Sequence, residues 1–452
     1  MRTTSNIKEI KGPLIVVQGI TGAAYKEIVH ITLADNTVKK GQVLAVGEQF
    51  AVCQVFESTM GLSLEKMKVA FTGKTATVKV SDSVLGRIFD GSGNPIDGHD
   101  FFGTKKMDIM GKPLNPVSRV PPKDFIQTGV STIDCMIPLV RGQKLPIFSM
   151  AGMPQNELAA QIARQATVLD GKEFAVVFCA MGVTQSEQEF FIKEFTQTGA
   201  LEHTALFINK ASDSTVERIM APRIALTHAE HLAYDCGKHV LVIMTDMTNY
   251  CDALRQISAA REEIPGRRGY PGYMYTDLAQ LYERAGIAKG SAGSITQIPI
   301  LSMPGDDKTH PVPDLTGYIT EGQIVLDRRL LQKHCLPPIA VLGSLSRLKV
   351  DKKQVREDTG AVAAQLYAAY ATGIELRNLA AVVGAEALSA RDQSYLVFAD
   401  EFESKFVNQG FDEERTLEQT LDIAWELFAI IPKNELKKLK KDMITKYYDS
   451  KK

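Results

Sequence analysis

Tryptophan occurs once in 452 residues, cysteine six times, and no apolar run approaches the length of a membrane span. Cys53, Cys135, Cys179, Cys236, Cys251 and Cys335 are scattered without a C-x-x-C pair, which argues against a zinc site and a disulfide framework and fits a reducing cytosol. The longest apolar runs, HVLVIM at 239–244 and FAVVFCAM at 174–181, fall far short of the roughly 20 residues a bilayer requires. They read as buried strands, so direct membrane insertion is not expected. The opening MRTTSNIKEIKG has no apolar core behind its positive charges, and no secretory signal is expected there. Charge of one sign is missing too: 52 Lys+Arg against 53 Asp+Glu leave a formal net charge of −1, with no long-range field to draw nucleic acid or an anionic membrane.

What is present is an ordinary globular composition, 44% hydrophobic and 23% charged, so the chain is expected to fold throughout. At roughly 150 residues per domain its length suggests about three domains. Residues 12–81 alternate short β-rich runs (GPLIVVQGI, EIVHITLA, QVLAVG, FAVCQVFES, KVAFTG, TATVKVS) with turn residues, and Asp35-Asn36 is a hairpin candidate. This predicts a small β-barrel. Two turn-rich stretches follow at 89–100 and 111–122, where glycine and proline break regular elements and mark a linker.

Across 125–346 apolar strands alternate with stretches long enough to be helices, the pattern of a mainly parallel sheet covered on both faces. Strands are predicted at 145–149, 174–181, 205–209, 239–246 and 294–303, and a crossover helix at 157–169 with Leu158, Ile162 and Ala166 on one face. Beyond Arg347 four helical runs predict a bundle, the last being the lysine-rich NELKKLKKDMITKYY, read as a helix with lysines at its negative end. The fold class is therefore multidomain: a β-barrel over 1–75, an α/β P-loop-type nucleotide domain over 76–346 and an α-helical bundle over 347–452.

The segment PIFSMAGMPQNEL at 146–158 sits where a P-loop belongs, between a strand and a helix start. A working P-loop turns backbone N–H groups toward phosphate, reaches the β and γ phosphates with lysine, and holds magnesium with a Ser or Thr hydroxyl. Here Ser149 and Gly152 remain, Gly-Lys-Ser/Thr has become Gln155-Asn156-Glu157, and Pro154 removes an N–H donor. Tight binding of ATP with magnesium at this loop is not expected. Asp246 ends an apolar strand, either as a magnesium-facing carboxylate or as the cap of the next helix. Where a strand-end glutamate would orient attacking water, residues 181–184 read Met-Gly-Val-Thr. Against these losses, PPIAVLGSLSRL at 337–348 carries Arg347 after Ser344 and Ser346. An arginine so placed can donate to the γ-phosphate of a nucleotide held by a neighbour, or be an ordinary surface arginine. His228 and His231 lack the H-E-x-x-H order and a nearby third ligand, and read as two surface histidines of a helix, not a metal pair.

The runs FIQTGVSTIDCMIPLVRGQKLPIFS, ELAAQIARQATVLD, HVLVIMTDMTNYCDALRQISAAREEIPGRRGYPGYMYTDLAQLYERAG, ITQIPILSMPGDDKTHPVPDLTGYITEGQIVLDRRL and PPIAVLGSLSRLK resemble the B subunit of vacuolar and archaeal-type rotary ATPases. That resemblance implies a hexameric ring in which B subunits alternate with catalytic A subunits, a lost P-loop in B, and an arginine at the position of Arg347 lent to the neighbour's active site. It implies that ATP or ADP with magnesium is bound mainly by the A subunit at the shared interface, and that coupling to proton or sodium movement runs through a membrane sector outside this chain. Central rotor shaft subunits and a peripheral stalk are implied as further partners, and the cytoplasmic face of a membrane as the location. The loop formed by Pro265, Gly266, Arg267, Arg268, Gly269, Tyr270, Pro271, Gly272 and Tyr273 resembles the family's rotor-facing collar, against the plainer reading of a glycine-proline surface loop. The segment 317–323 resembles the one facing the nucleotide interface, which puts Tyr318 near the neighbour's phosphates; the competing reading is a buried packing tyrosine. Ala340 departs from the family's usual polar residue after PPI, which bears on the hydrogen bonds supporting Arg347. Two rival functions stand beside this one: a self-sufficient hexameric ATPase, opposed by the missing Gly-Lys-Thr, and a structural ring member whose Arg347 is only a salt-bridge partner.

Overall fold

The computed structural model describes residues 2–12, 14–56, 62–64, 66–111, 113–168 and 173–448. Two compact units are present, one of residues 1–117 with 175–284, the other of 118–174 with 285–452.

In the first unit the alternating N-terminal pattern becomes a barrel-like antiparallel sheet of seven strands. From edge to edge they are Arg2–Thr4, Lys68–Thr75, Glu27–Thr32, Val38–Val46, Phe50–Val55, Leu14–Gln18 and Ile7–Lys11. Period-two alternation turns Val29, Ile31, Val43, Cys53, Val69 and Phe71 inward to a shared core. The Asp35-Asn36 hairpin forms as predicted: Asn36 takes the left-handed conformation (φ 67°) and Asp35 Oδ1 accepts from the Thr37 N–H at 2.9 Å.

The same unit holds four strands of the α/β sheet in the order His239–Thr245, Phe174–Val183, Thr204–Lys210, Ile88–Asp90. The last three pair in parallel. Their runs are buried nearly end to end, as strands covered on both faces must be. Strand Ile88–Asp90 overlaps the start of the turn-rich stretch 89–100, where a linker is expected. Three residues between turns carry no period, and what makes them a strand is the stacking of Phe89 on Phe207, with centroids 5.0 Å apart. His228 and His231 are a correction: both are buried, not on the surface. The His228 ring is flanked by Phe89, Phe101 and Phe207, and burial lowers its pKa to about 3, so it stays neutral. His231 Nδ1 is 2.7 Å from Asp235. Among the described residues no cluster of three metal-ligating side chains occurs.

The second unit holds strands Leu345–Ser346, Gly322–Val325, Ile147–Ser149 and Ser294–Ser302, in that order. The P-loop strand Ile147–Ser149 is parallel to both its neighbours, and Leu345–Ser346 is an antiparallel edge. The crossover helix runs Gln155–Gln165 and stops short of the predicted end, because Thr167–Val168 pairs as a strand with Phe125–Gln127. Leu169 lies outside the described residues.

A helical bundle completes this unit: Thr359–Val383, Ala390–Glu401 with a wider turn at Phe402–Val407, and Leu417–Phe428, packed around Leu366, Phe398, Phe402, Leu421, Trp425 and Phe428. The fourth predicted helix does not form as one element. Residues 433–435 make a single tight turn, Lys441–Met443 a short helix and Ile444–Tyr448 a wider turn. Its lysines at 437, 438, 440 and 441 thus precede or open the short helix and are not at its negative end. A run rich in like charge gains little from helix formation, and Leu436, Leu439, Ile444 and Tyr448 are buried without a regular helical face. The fold class is nonetheless the one the sequence predicts: barrel-like sheet, α/β domain with parallel strands, helical domain. No helix among the described residues is long and apolar enough to cross a membrane.

Candidate functional site

The P-loop region is built as a strand, a tight turn and a helix. Gly152 sits at φ 75°, which the turn requires of a residue without Cβ strain. Pro154 occupies the N-cap and brings no N–H, and the cap makes no side-chain hydrogen bond. The loop closes on itself: Met153 N–H donates to Met150 O at 3.2 Å, and Gln155 N–H to Met153 O at 2.9 Å. Ser149 is fully buried, its hydroxyl donating to the Gln155 side-chain oxygen at 2.9 Å. Asn156 is half-buried and Glu157 is exposed in the first helical turn, adding a negative charge where phosphate would dock. The cation that does reach the loop comes from elsewhere: Arg328 Nη2 donates to Ala151 O at 3.1 Å and is held by Asp306 at 3.3 Å. These residues do not fit a nucleoside triphosphate with magnesium, because the lysine is missing and the hydroxyl and two loop N–H groups are already bonded within the protein.

Arg347 follows the edge strand of the same sheet, with one strand between its own and the P-loop strand. Its backbone N–H donates to Glu321 O at 2.9 Å and its Nη1 to Thr320 O at 3.3 Å, while the side chain stays exposed. Glu321 is tied down in turn. Its carboxylate accepts from the Lys144 N–H at 2.8 Å and pairs with the buried Lys144 Nζ at 2.9 Å. Ser346 Oγ accepts from Gln143 Nε2 at 2.9 Å, and Gln143 also donates to Glu321 O at 3.1 Å. Ser344 is buried, with Oγ donating to Ala340 O at 2.7 Å and accepting from the Val325 N–H at 2.8 Å. The bond between Ser344 and residue 340 is made to the Ala340 backbone carbonyl and does not depend on the side chain there. Gly322 allows the close approach of the two edge strands: a Cβ there would sit 2.4 Å from Leu345 O.

The structure thus gathers Arg347, Ser344, Ser346 and residues 317–323 at one sheet edge beside the P-loop strand. Tyr318 is 72% exposed at the end of helix Pro311–Ile319, which rules out the buried packing alternative. Gln143, Lys144 and Glu321 are anchors that reading the sequence missed; they lie within the quoted family runs, but nothing in their spacing links 144 to 321. A cavity of about 480 Å³ nearby is lined by Met150, Lys308, Asp327, Arg329, Lys333, Tyr370, Arg377 and Glu403, and three of its four cations are already paired.

Asp246 and the 265–273 loop belong to the other unit. Asp246 caps helix Met247–Ala260, its carboxylate accepting from the Thr248 N–H at 2.7 Å. The loop is a tight hairpin closed by the Gly266 N–H to Tyr270 O bond at 2.8 Å, with Arg268 and Gly269 both at positive φ. Pro271 and Tyr270 are buried, Tyr270 being fixed by its hydroxyl to Asp252 at 2.9 Å and by the Arg255 guanidinium over its ring. Pro265, Gly266, Arg267, Arg268, Gly269, Gly272 and Tyr273 are exposed.

A barrel-like sheet, a P-loop-type α/β domain and a helical domain in one chain define a class, the multidomain subunits built around a nucleotide-binding-type core. Residues 7–73 match the beta-barrel domain of the ATP synthase alpha/beta family, residues 129–346 its nucleotide-binding domain, and residues 348–448 the C-terminal domain of V and A type ATP synthase. The chain belongs to the ATP synthase alpha/beta family, in its V and A type. It is similar to a solved structure of an ATP synthase subunit, NeqB from Nanoarcheaum equitans, at 42% identity and TM-score 0.75, covering 92% of this chain and 98% of that one.

Proposed function

We propose that this chain is the non-catalytic B subunit of a V/A-type rotary ATPase. In this reading it alternates with catalytic A subunits in a hexameric ring and supplies Arg347 in trans to the neighbour's nucleotide. The observation that carries the proposal is the pairing of two opposite features on one sheet: a P-loop without the groups that hold ATP and magnesium, and an exposed arginine whose backbone is clamped through Glu321 to Lys144. Such an arginine stabilises charge on the transferring phosphoryl group, and a rigid mount reduces the entropy lost when it engages. Tyr318, exposed on the same segment, would face the same interface. The nucleotide and magnesium are the partner's to bind, and the ring's asymmetry would turn a central shaft against the 265–273 loop while a peripheral stalk holds the head. Coupling to proton or sodium movement, in the direction of synthesis or hydrolysis, would take place in a membrane sector, with this chain at its cytoplasmic face.

The test is ATP turnover by a ring reconstituted with the catalytic partner, comparing wild type with Arg347→Ala after assembly of both rings is confirmed. Loss of about 10³-fold or more is expected of a trans-acting arginine. Near-normal turnover by an intact variant ring would reduce the chain to a structural ring member.

A further inference from the structure

A second cavity, of about 410 Å³, lies within the first unit between the barrel-like sheet and the helices Thr215–Glu230, Met247–Ala260 and Met274–Tyr282. Its apolar wall is formed by Leu44, Phe56, Ile219, Met220, Leu254 and Ile257. Its polar groups are rich in donors that lack acceptors. Lys26 is half-buried, its ammonium meets the Met110 sulfur at 3.8 Å and the Tyr25 ring at 5.5 Å, and it makes no ion pair among the described residues. Burial and then the charge of Arg223 push that ammonium toward losing its proton.

Three further lining side chains each keep a buried N–H without an acceptor: Gln54 at Nε2, Arg223 at Nη1 and Arg261 at Nε. Gln54 and Arg223 are 4% and 5% exposed. Each side chain is anchored by its other atoms. Arg223 Nη2 donates to Asp277 at 2.6 Å and to the Tyr250 hydroxyl at 3.0 Å, and Arg261 donates to Gln54 Oε1 at 3.1 Å and to Glu263 at 3.3 Å. A buried donor left unpaired bears its whole desolvation penalty, so three of them around one cavity, beside an ammonium whose hydrogen bond goes to a sulfur, call for a compensating acceptor. Against Lys26, Arg223 and Arg261 the lining sets only Glu263 and Asp277, a surplus of one positive charge.

Unpaired donors, one surplus positive charge and an apolar wall are complementary to a monoanionic head on an apolar body. We propose that this cavity binds a small amphipathic carboxylate, with the head at Lys26 and Arg261, small rotations bringing the Gln54 and Arg223 donors to it, and the body against Phe56, Ile219 and Leu254. An inorganic oxyanion would satisfy the donors and leave the apolar wall in water; a neutral alcohol would fill the wall and leave the charge. The cavity beside the P-loop does not compete for this assignment, since its cations are mostly paired already.

Isothermal titration calorimetry of the full chain with 4-phenylbutanoate, 4-phenylbutanol and inorganic phosphate tests it. Saturable one-to-one binding of 4-phenylbutanoate is expected, with both other probes about tenfold weaker or more, the scale of one charge-assisted hydrogen bond. Lys26→Met keeps the stem and removes the charge, and should weaken binding about tenfold. Ile219→Trp fills the cavity and should abolish binding, thermal unfolding confirming that each variant is folded. If Ile219→Trp does not fold, Lys26→Met decides, because it removes no packing. No saturable binding of 4-phenylbutanoate, equal binding of phosphate or of the alcohol, or wild-type affinity in folded Lys26→Met would overturn the assignment.

Discussion

Glu217 accepts the Gly91 N–H at 3.0 Å, from a half-buried position near Asp213 and Asp90. Burial first, then those two carboxylates, push its pKa from an ordinary 4.5 up to about 7. The folded state therefore holds a proton that the unfolded chain has released between these values. Its contribution to stability is complete below about 4.5 and is lost as pH rises through about 7. Glu217→Gln keeps the acceptor and removes the titration, so its unfolding midpoint should gain on wild type as pH rises across that window. After solvent screening the gain is on the order of 1 kcal/mol. Denaturant titrations at pH 5 and pH 8 check this, and equal differences at both pH values would show that Glu217 is not the titrating group. His228 shows the opposite limit: an imidazole so enclosed by aromatic rings that it remains neutral, which no reading of a two-histidine spacing discloses.

At the scale of elements, the P-loop differs from a working one in more than its missing lysine. The Ser149 hydroxyl is bonded to Gln155, and Pro154 gives the helix start no N–H. Asn156→Lys alone should thus leave the isolated chain without saturable binding of ATP-magnesium. Gln155→Gly, Asn156→Lys and Glu157→Thr together release the hydroxyl, restore the cation and remove a carboxylate, and should produce measurable binding. Fluorescence titration with an ATP analogue separates the cases, and saturable binding by the single variant would mean that the side-chain lock is unimportant. The losses at this loop were legible from residue types, since proline lacks an N–H and asparagine lacks a charge in any fold. The lock itself was not, because it depends on the rotamers of Ser149 and Gln155. The lysine-rich final run shows where local reading fails: helical composition at 434–448 yields turns around one short helix, as burial of four separated apolar side chains outweighs propensity.

For the whole molecule, the proposed function predicts a subunit with no ATP turnover of its own. The isolated chain should show no ATP hydrolysis above buffer, measured by phosphate release, with activity arising only on assembly with the catalytic partner. Turnover by the purified chain would favour a self-sufficient ATPase in spite of the P-loop. Near-zero net charge fits a role that rests on surface complementarity within a complex and not on long-range steering.

By itself the sequence determined the three-part architecture, the Asp35-Asn36 hairpin, the main buried strands and the chemical poverty of the P-loop. Each of these follows from local periodicity, turn chemistry or the functional groups a residue carries. Only the tertiary structure decided how Arg347 is held, since Lys144 and Glu321 are 177 residues apart and meet by strand pairing. It also decided that Tyr318 faces solvent, that Asp246 caps a helix, that Phe89 anchors a strand at the edge of a linker-like stretch, and that unpaired donors from residues 54, 223 and 261 surround one cavity with Lys26. The physical reason is common to all of them: burial and hydrogen-bond satisfaction are set by neighbours distant in the chain, and pairings of that kind leave no period or spacing in the local sequence.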